Sequence, residues 1–220
     1  MAARSGGFMS LLMYRLTASD VLIVTDTLST DPSGTPRTFV SKCLTVPHLE
    51  LVVVFTGVAQ LGHNWSLQLQ TEVLARDIDL LNLHVPVGLN QIASSLEREY
   101  GTLSSSTVYH FGYSEQQGGY VGYAYRSGNS FRVETIPNNS FGVNPEPGSQ
   151  FVPPNNQEEM VALARQIRKE QNLLPMSQRL HVGGELCLTL LQDRSIQTAK
   201  AFRFEDFDDQ WLIMNENLRG

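Results

Sequence analysis

Only two cysteines occur in this 220-residue sequence, Cys43 and Cys187, too few for the disulfide framework on which small exported domains rely. Long apolar runs are also missing. The longest strictly apolar run, LVVVF at 51–55, falls far short of the roughly 20 residues that cross a bilayer. The N-terminal segment has one arginine, Arg4, and an apolar patch too short for the core of a signal peptide. A cytoplasmic protein with no membrane partner is the expectation. Positive charge is scarce: 16 Lys and Arg against 22 Asp and Glu leave a formal charge of −6, which argues against a nucleic-acid partner, since phosphate neutralisation needs clustered cations. The densest basic stretch, RQIRKE at 165–170, reads as the polar face of a helix. The five histidines show no metal-ligand spacing. FEDFDDQ at 204–210 lacks the glycine and terminal glutamate of a calcium loop and reads as a solvated turn. GGYVGY at 118–123 has no helix after it and fits a hairpin better than a dinucleotide site. Neither a metal nor an organic cofactor is expected.

With 41% hydrophobic and 17% charged residues, the chain has the composition of a folded globular protein and enough length to bury a substantial core. The first 57 residues read as strands: SLLMYRL, VLIVTDTL, TFVSKCLTV and LELVVVFT are rich in β-branched and aliphatic residues and separated by turn chemistry. A continuous run such as VLIV predicts a sheet covered on both faces. From Val58 the period changes. Leu61, Trp65, Leu69 and Val73 share one face of a helix predicted over 58–81, and Leu89, Ile92 and Leu96 mark a second that stops at Gly101. Strands return around 106–137, and a Pro-, Asn- and Gly-rich loop is expected over 137–156. A third helix follows, with Met160, Leu163, Ala164 and Ile167 inward. GGELCLTLL, IQTAKAFRF and DQWLIMNEN then read as strands, with Cys187 a buried small residue. Segregated strands and helices predict an α+β fold with two sheets and helices outside.

Two turns place chemistry together. If TASD at 17–20 reverses the chain, the antiparallel partner of Ser10 is residue 26 or 27. Reflecting Asp26 about Gly34 of DPSGTPR lands on Lys42. A serine hydroxyl needs a base to become a nucleophile, a neighbouring ammonium favours the deprotonated oxygen, and partial burial lowers the lysine's own pKa. Asp26 would orient Lys42 by a charge-assisted hydrogen bond. If Ser10 were the first residue of the mature chain, its free α-amine could act as general base. The backbone N–H of Gly57, where FTG runs from a strand into a helix, is available to an oxyanion. Each residue has a plainer role open to it: Ser10 as a strand residue, Asp26 and Lys42 as a structural ion pair, Gly57 as the small residue of a strand-to-helix turn.

Ser10, Asp26 and Lys42 stand 16 and 32 positions along, the spacing of nucleophile, aspartate and lysine in proteasome β subunits and their bacterial relatives. VTDTLST, FVSKCLTV, VVVFTGVAQ and GGELCLTLL also resemble that family. The resemblance implies an N-terminal nucleophile (Ntn) hydrolase fold, a four-layer αββα sandwich over residues 10–220, with 1–9 as an extension or propeptide. It implies hydrolysis of peptide or amide bonds by Ser10, with Asp26, Lys42 and Gly57 as its catalytic partners, in a ring-shaped homo-oligomer, and leaves open whether an ATPase partner feeds it. The sequence departs from the family in three places. Serine stands where threonine is usual. Met9 stands where glycine usually precedes the nucleophile. RLHVGG at 179–184 lacks the supporting aspartate and serine. A catalytically silent scaffold subunit of the same fold, and a small-molecule-binding α+β domain with a structural ion pair, are the alternatives.

Overall fold

The computed structural model describes residues 11–31, 33–73 and 75–219. β1 (Leu12–Leu16) and β2 (Asp20–Asp26) form the first hairpin. At its turn the Thr17 hydroxyl oxygen accepts the N–H groups of Ser19 and Asp20 at 3.2 and 3.0 Å, a side chain standing in for backbone partners. The register runs from Leu12 opposite Thr25 to Leu16 opposite Val21. β3 (Leu28–Thr30) and β4 (Pro36–Phe39) make a separate two-stranded ribbon. β5 (Cys43–Val46), β6 (Leu51–Thr56), β7 (Thr107–Ser114), β8 (Gly119–Arg126) and β9 (Val133–Ile136) form a five-stranded antiparallel sheet in that order. The other five-stranded sheet has the order β10-β1-β2-β11-β12, with β10 (Ser140–Asn144), β11 (Glu185–Gln192) and β12 (Ser195–Arg203). The class is α+β with antiparallel sheets.

Alternation along the strands sorts the apolar residues into three cores. Val21 and Ile23 of β2 meet Val52 and Val54 of β6 and Phe111 of β7 between the two sheets. Leu22 and Val24 point the other way, onto Met160, Leu163, Ala164 and Ile167 of α4 (Gln157–Leu173). VLIV is continuously apolar because both its faces are covered. The third core lies between the other face of the β5–β9 sheet and α1 (Ala59–Thr71), α2 (Ile78–Leu81) and α3 (Val85–Tyr100), with Leu61, Trp65 and Leu69 of α1 fully buried. Each such side chain contributes on the order of 2 kcal/mol.

Several expectations are corrected. The helix predicted over 58–81 is two helices: the Gln68 carbonyl accepts the N–H of both Glu72 and Val73, closing α1, and Asp77 caps α2 by accepting the Leu80 N–H at 2.9 Å. The loop expected over 137–156 contains β10, an edge strand whose partner, β1, is more than a hundred residues away and so leaves no local signature. DQWLIMNEN is no strand but part of α5 (Phe207–Arg219), and FEDFDDQ runs into its first turn, where Asp208 and Asp209 suit the helix dipole. Gln210 and Met214, one turn apart, are its buried side, and the apolar Trp211 and Leu212 stay exposed. Cys187 is only half-buried, whereas Cys43 is buried; both are free thiols. Among the described residues no helix is long and apolar enough to cross a membrane.

Candidate active site

β2 ends at Asp26, and the chain leaves it for the β3–β4 ribbon before entering the other sheet. Lys42 is the last residue before β5, and its carbonyl accepts the N–H of Phe55 at 3.2 Å. Two different sheets thus supply the acid and the base. The Lys42 Nζ donates to Asp26 Oδ1 at 2.7 Å and to the Leu28 carbonyl at 2.7 Å. Asp26 Oδ1 also accepts the Leu11 N–H, and Oδ2 accepts the Gly183 N–H, both at 3.0 Å. Asp26 is 0% and Lys42 3% exposed.

A buried ion pair is tolerable only when its remaining donors and acceptors are satisfied, and here three donors converge on one carboxylate. Burial pushes the Asp26 carboxyl above its ordinary range, against the pull of Lys42 and the two backbone N–H groups. Burial likewise holds the Lys42 amine below its ordinary range, with Asp26 opposing. Among the described residues two acceptors engage an ammonium that carries three N–H bonds.

The late Gly-Gly contributes backbone where side chains were sought. Besides the Gly183 N–H, the Gly183 carbonyl accepts from Leu28 N–H at 3.2 Å, and the Thr27 hydroxyl oxygen accepts the Glu185 N–H at 2.8 Å. Gly184 has φ +73°, and a Cβ there would lie 2.4 Å from Thr27 Oγ1. Gln210 of α5 accepts the Gly184 N–H at 3.1 Å, so the terminal helix pins this loop. The sequence signal for this support was the Gly-Gly itself and the hydroxyl of TDT. His181, the nearest histidine in sequence, lies elsewhere: a Cβ on Gly34 would come 2.4 Å from its Nε2, so its ring covers the ribbon turn, and burial lowers its basicity.

Gly57 closes β6 two residues past Phe55, at the end of the sheet where Lys42 enters. It has φ +93°, and a Cβ would meet the Ser105 carbonyl at 2.4 Å. Here the strand-to-helix turn requires glycine, and the Ser106 hydroxyl oxygen accepts the N–H of Val58 at 3.0 Å. The structure therefore brings Asp26 and Lys42 into contact and sets Gly57 near the backbone partner of Lys42, while Ser10 lies outside the described residues. Among the described residues no group of three or more His, Cys, Asp or Glu is placed to hold a metal ion. The chain matches no protein-family model and no curated protein.

Proposed function

We propose that the chain is an N-terminal nucleophile hydrolase of peptide or amide bonds, with Ser10 as nucleophile once residues 1–9 are removed. The observation that carries this reading is the buried Asp26–Lys42 pair whose carboxylate also holds the N–H of Leu11, the residue bonded directly to Ser10. Beside a nucleophile the pair has a use. The Ser10 hydroxyl adds to the amide carbon while its proton passes to the free α-amine. The lysine ammonium stabilises the negative oxygen with its third N–H, and Asp26 keeps the lysine charged and oriented. The Gly57 N–H takes the oxyanion. The tetrahedral adduct expels the amine, which leaves with the proton, and water then cleaves the acyl ester by the same route. The three stacked cores support the four-layer αββα arrangement, and assembly into rings in the cytoplasm belongs to the same reading.

Saturation of Asp26 by three donors favours one second reading, a silent scaffold subunit in which the pair only ties two sheets together. Intact mass separates the two. Under the hydrolase reading the purified protein lacks residues 1–9, the Lys42→Ala protein retains them, and a serine-directed fluorophosphonate labels Ser10. A wild-type chain that keeps Met9 joined to Ser10 under all conditions rules out the hydrolase and favours the scaffold.

A further inference from the structure

A cavity of about 540 Å³ opens between the sheets at the free edge formed by β10. It lies within the roughly 300–1,000 Å³ range of small-ligand sites. Leu12, two residues after Ser10 in the sequence, is part of its wall. The Asp26–Lys42 pair and the cavity therefore flank the start of the same strand, one at Leu11 and the other at Leu12.

Its walls are aromatic. Tyr14 and Tyr109 come from the two facing sheets with ring centroids 6.0 Å apart; Phe141 and Phe151, edge to face at 5.8 Å, border the far side of the edge strand, where they pack with the α4 core. Burial keeps both tyrosines protonated well past neutrality, so they offer hydroxyl groups and no charge. One cation lines the space, Arg126. It is already engaged, by Glu134 at 3.0 Å and by the Tyr109 hydroxyl, which leaves little attraction for an anion. Glu146 adds negative charge at the rim. Gly142 decides how far the space is open: a Cβ there would lie 2.3 Å from the Tyr14 ring and would force that ring to move.

We propose that this cavity is the recognition pocket for the substrate, and that it selects an aromatic, non-acidic acyl side chain next to the bond that Ser10 cleaves. The proposal rests on the hydrolase reading and adds the substrate class. Tyr14 and Tyr109, which share the face between the sheets, supply face and edge contacts to a planar ring, and Glu146 turns away acidic groups.

The test compares coumarin amides of N-acetyl-phenylalanine, -leucine and -glutamate. The phenylalanine-to-leucine ratio of kcat/KM is expected to be about tenfold, with the glutamate amide poorest; a ratio reads selectivity independently of the fraction of active protein. Gly142→Ala, which moves the Tyr14 ring, and Tyr109→Leu, which removes the facing ring, each bring the ratio close to one. A wild-type ratio near one, or a ratio that both variants leave unchanged, overturns the proposal while hydrolysis itself stands. If fluorophosphonate labels nothing and no amide is cleaved, the hydrolase reading fails, and the pocket is judged by titration with N-acetyl-phenylalaninamide. Shifts of the Tyr14 ring resonances that Tyr109→Leu abolishes then support an aromatic-binding cavity, and their absence overturns it.

Discussion

The two sheets are tied together by ion pairs at both ends, and the two ties are built in opposite ways. At one end Asp26 and Lys42 meet in full burial. At the other, three hairpin turns converge. Arg194, from the β11–β12 turn, holds Glu50 bidentately at 2.9–3.1 Å and Glu115 at 2.6 Å, with its guanidinium 4.5 Å above the Tyr113 ring. This second tie is solvent-exposed. Water screens it and replaces its bonds when they break, so it links the sheets at small cost and small gain. The buried pair has no such substitute, and its dehydration cost is met only by the donors that converge on Asp26. A molecule that needed only to clip two sheets together had the cheaper solution available at its other end. The expensive one holds the N–H of Leu11, the residue that follows Ser10 in the sequence, and this contrast supports a chemical use for it.

The sharpest way to break the comparison is to unpair the buried end. Lys42→Met leaves the Asp26 charge buried without its counter-ion and is expected to cost about 3–5 kcal/mol in denaturant unfolding. Adding Asp26→Asn removes the charge and recovers roughly half of that loss, the remainder being backbone N–H groups that the amide serves poorly.

A buried group with no ion partner comes next. His110 is fully buried beneath α1, its Nε2 accepting the Trp65 indole N–H at 2.8 Å. Nδ1 therefore carries the proton, and among the described residues it has no partner. Burial lowers its pKa from 6.5 to about 3. The unfolded chain binds a proton below pH 6.5 that the native state refuses, so stability falls as the pH drops from 6.5 towards 3. The slope is about 1.4 kcal/mol per pH unit. Urea titrations at pH 7 and pH 5 read this loss, and His110→Gln, which keeps an acceptor for Trp65 but does not titrate, flattens it.

The exposed tie gives the smallest effect. Arg194→Ala is expected to leave the melting temperature almost unmoved, and the small difference from wild type vanishes in 1 M salt. A large, salt-resistant loss there would erase the distinction between the two ends.

Much of the candidate site was legible because it depends on short-range geometry. The TASD turn set the first hairpin, and the observed pairing of Leu12 with Thr25 is one of the two registers that reflection about that turn allows, the one that gives residue 27 and not Asp26 for position 10. Reflection about Gly34 was less accurate. The ribbon register shifts between Ser29 and Thr30, Phe39 lies opposite Leu28, and Lys42 is not a strand partner of Asp26 at all. The two still meet because a lysine side chain is long enough to absorb an error of one or two residues. The backbone support from Gly183, the pairing of β10 with β1 and the helical state of DQWLIMNEN were not legible. Each depends on a surface contributed by a distant part of the chain, and an apolar run such as WLIM does not by itself reveal whether one face or two will be covered.

The sequence alone determined the antiparallel α+β class, the strand-rich first quarter, the face of α4 and the adjacency of Asp26 and Lys42, because these follow from periodicity and turn chemistry within a few dozen residues. Tertiary structure decided that the pair would be fully buried, that three donors would converge on Asp26, and that β10 would open an aromatic cavity beside the start of β1. Burial and convergence require elements that are far apart in sequence to be packed together, and no local pattern encodes that packing.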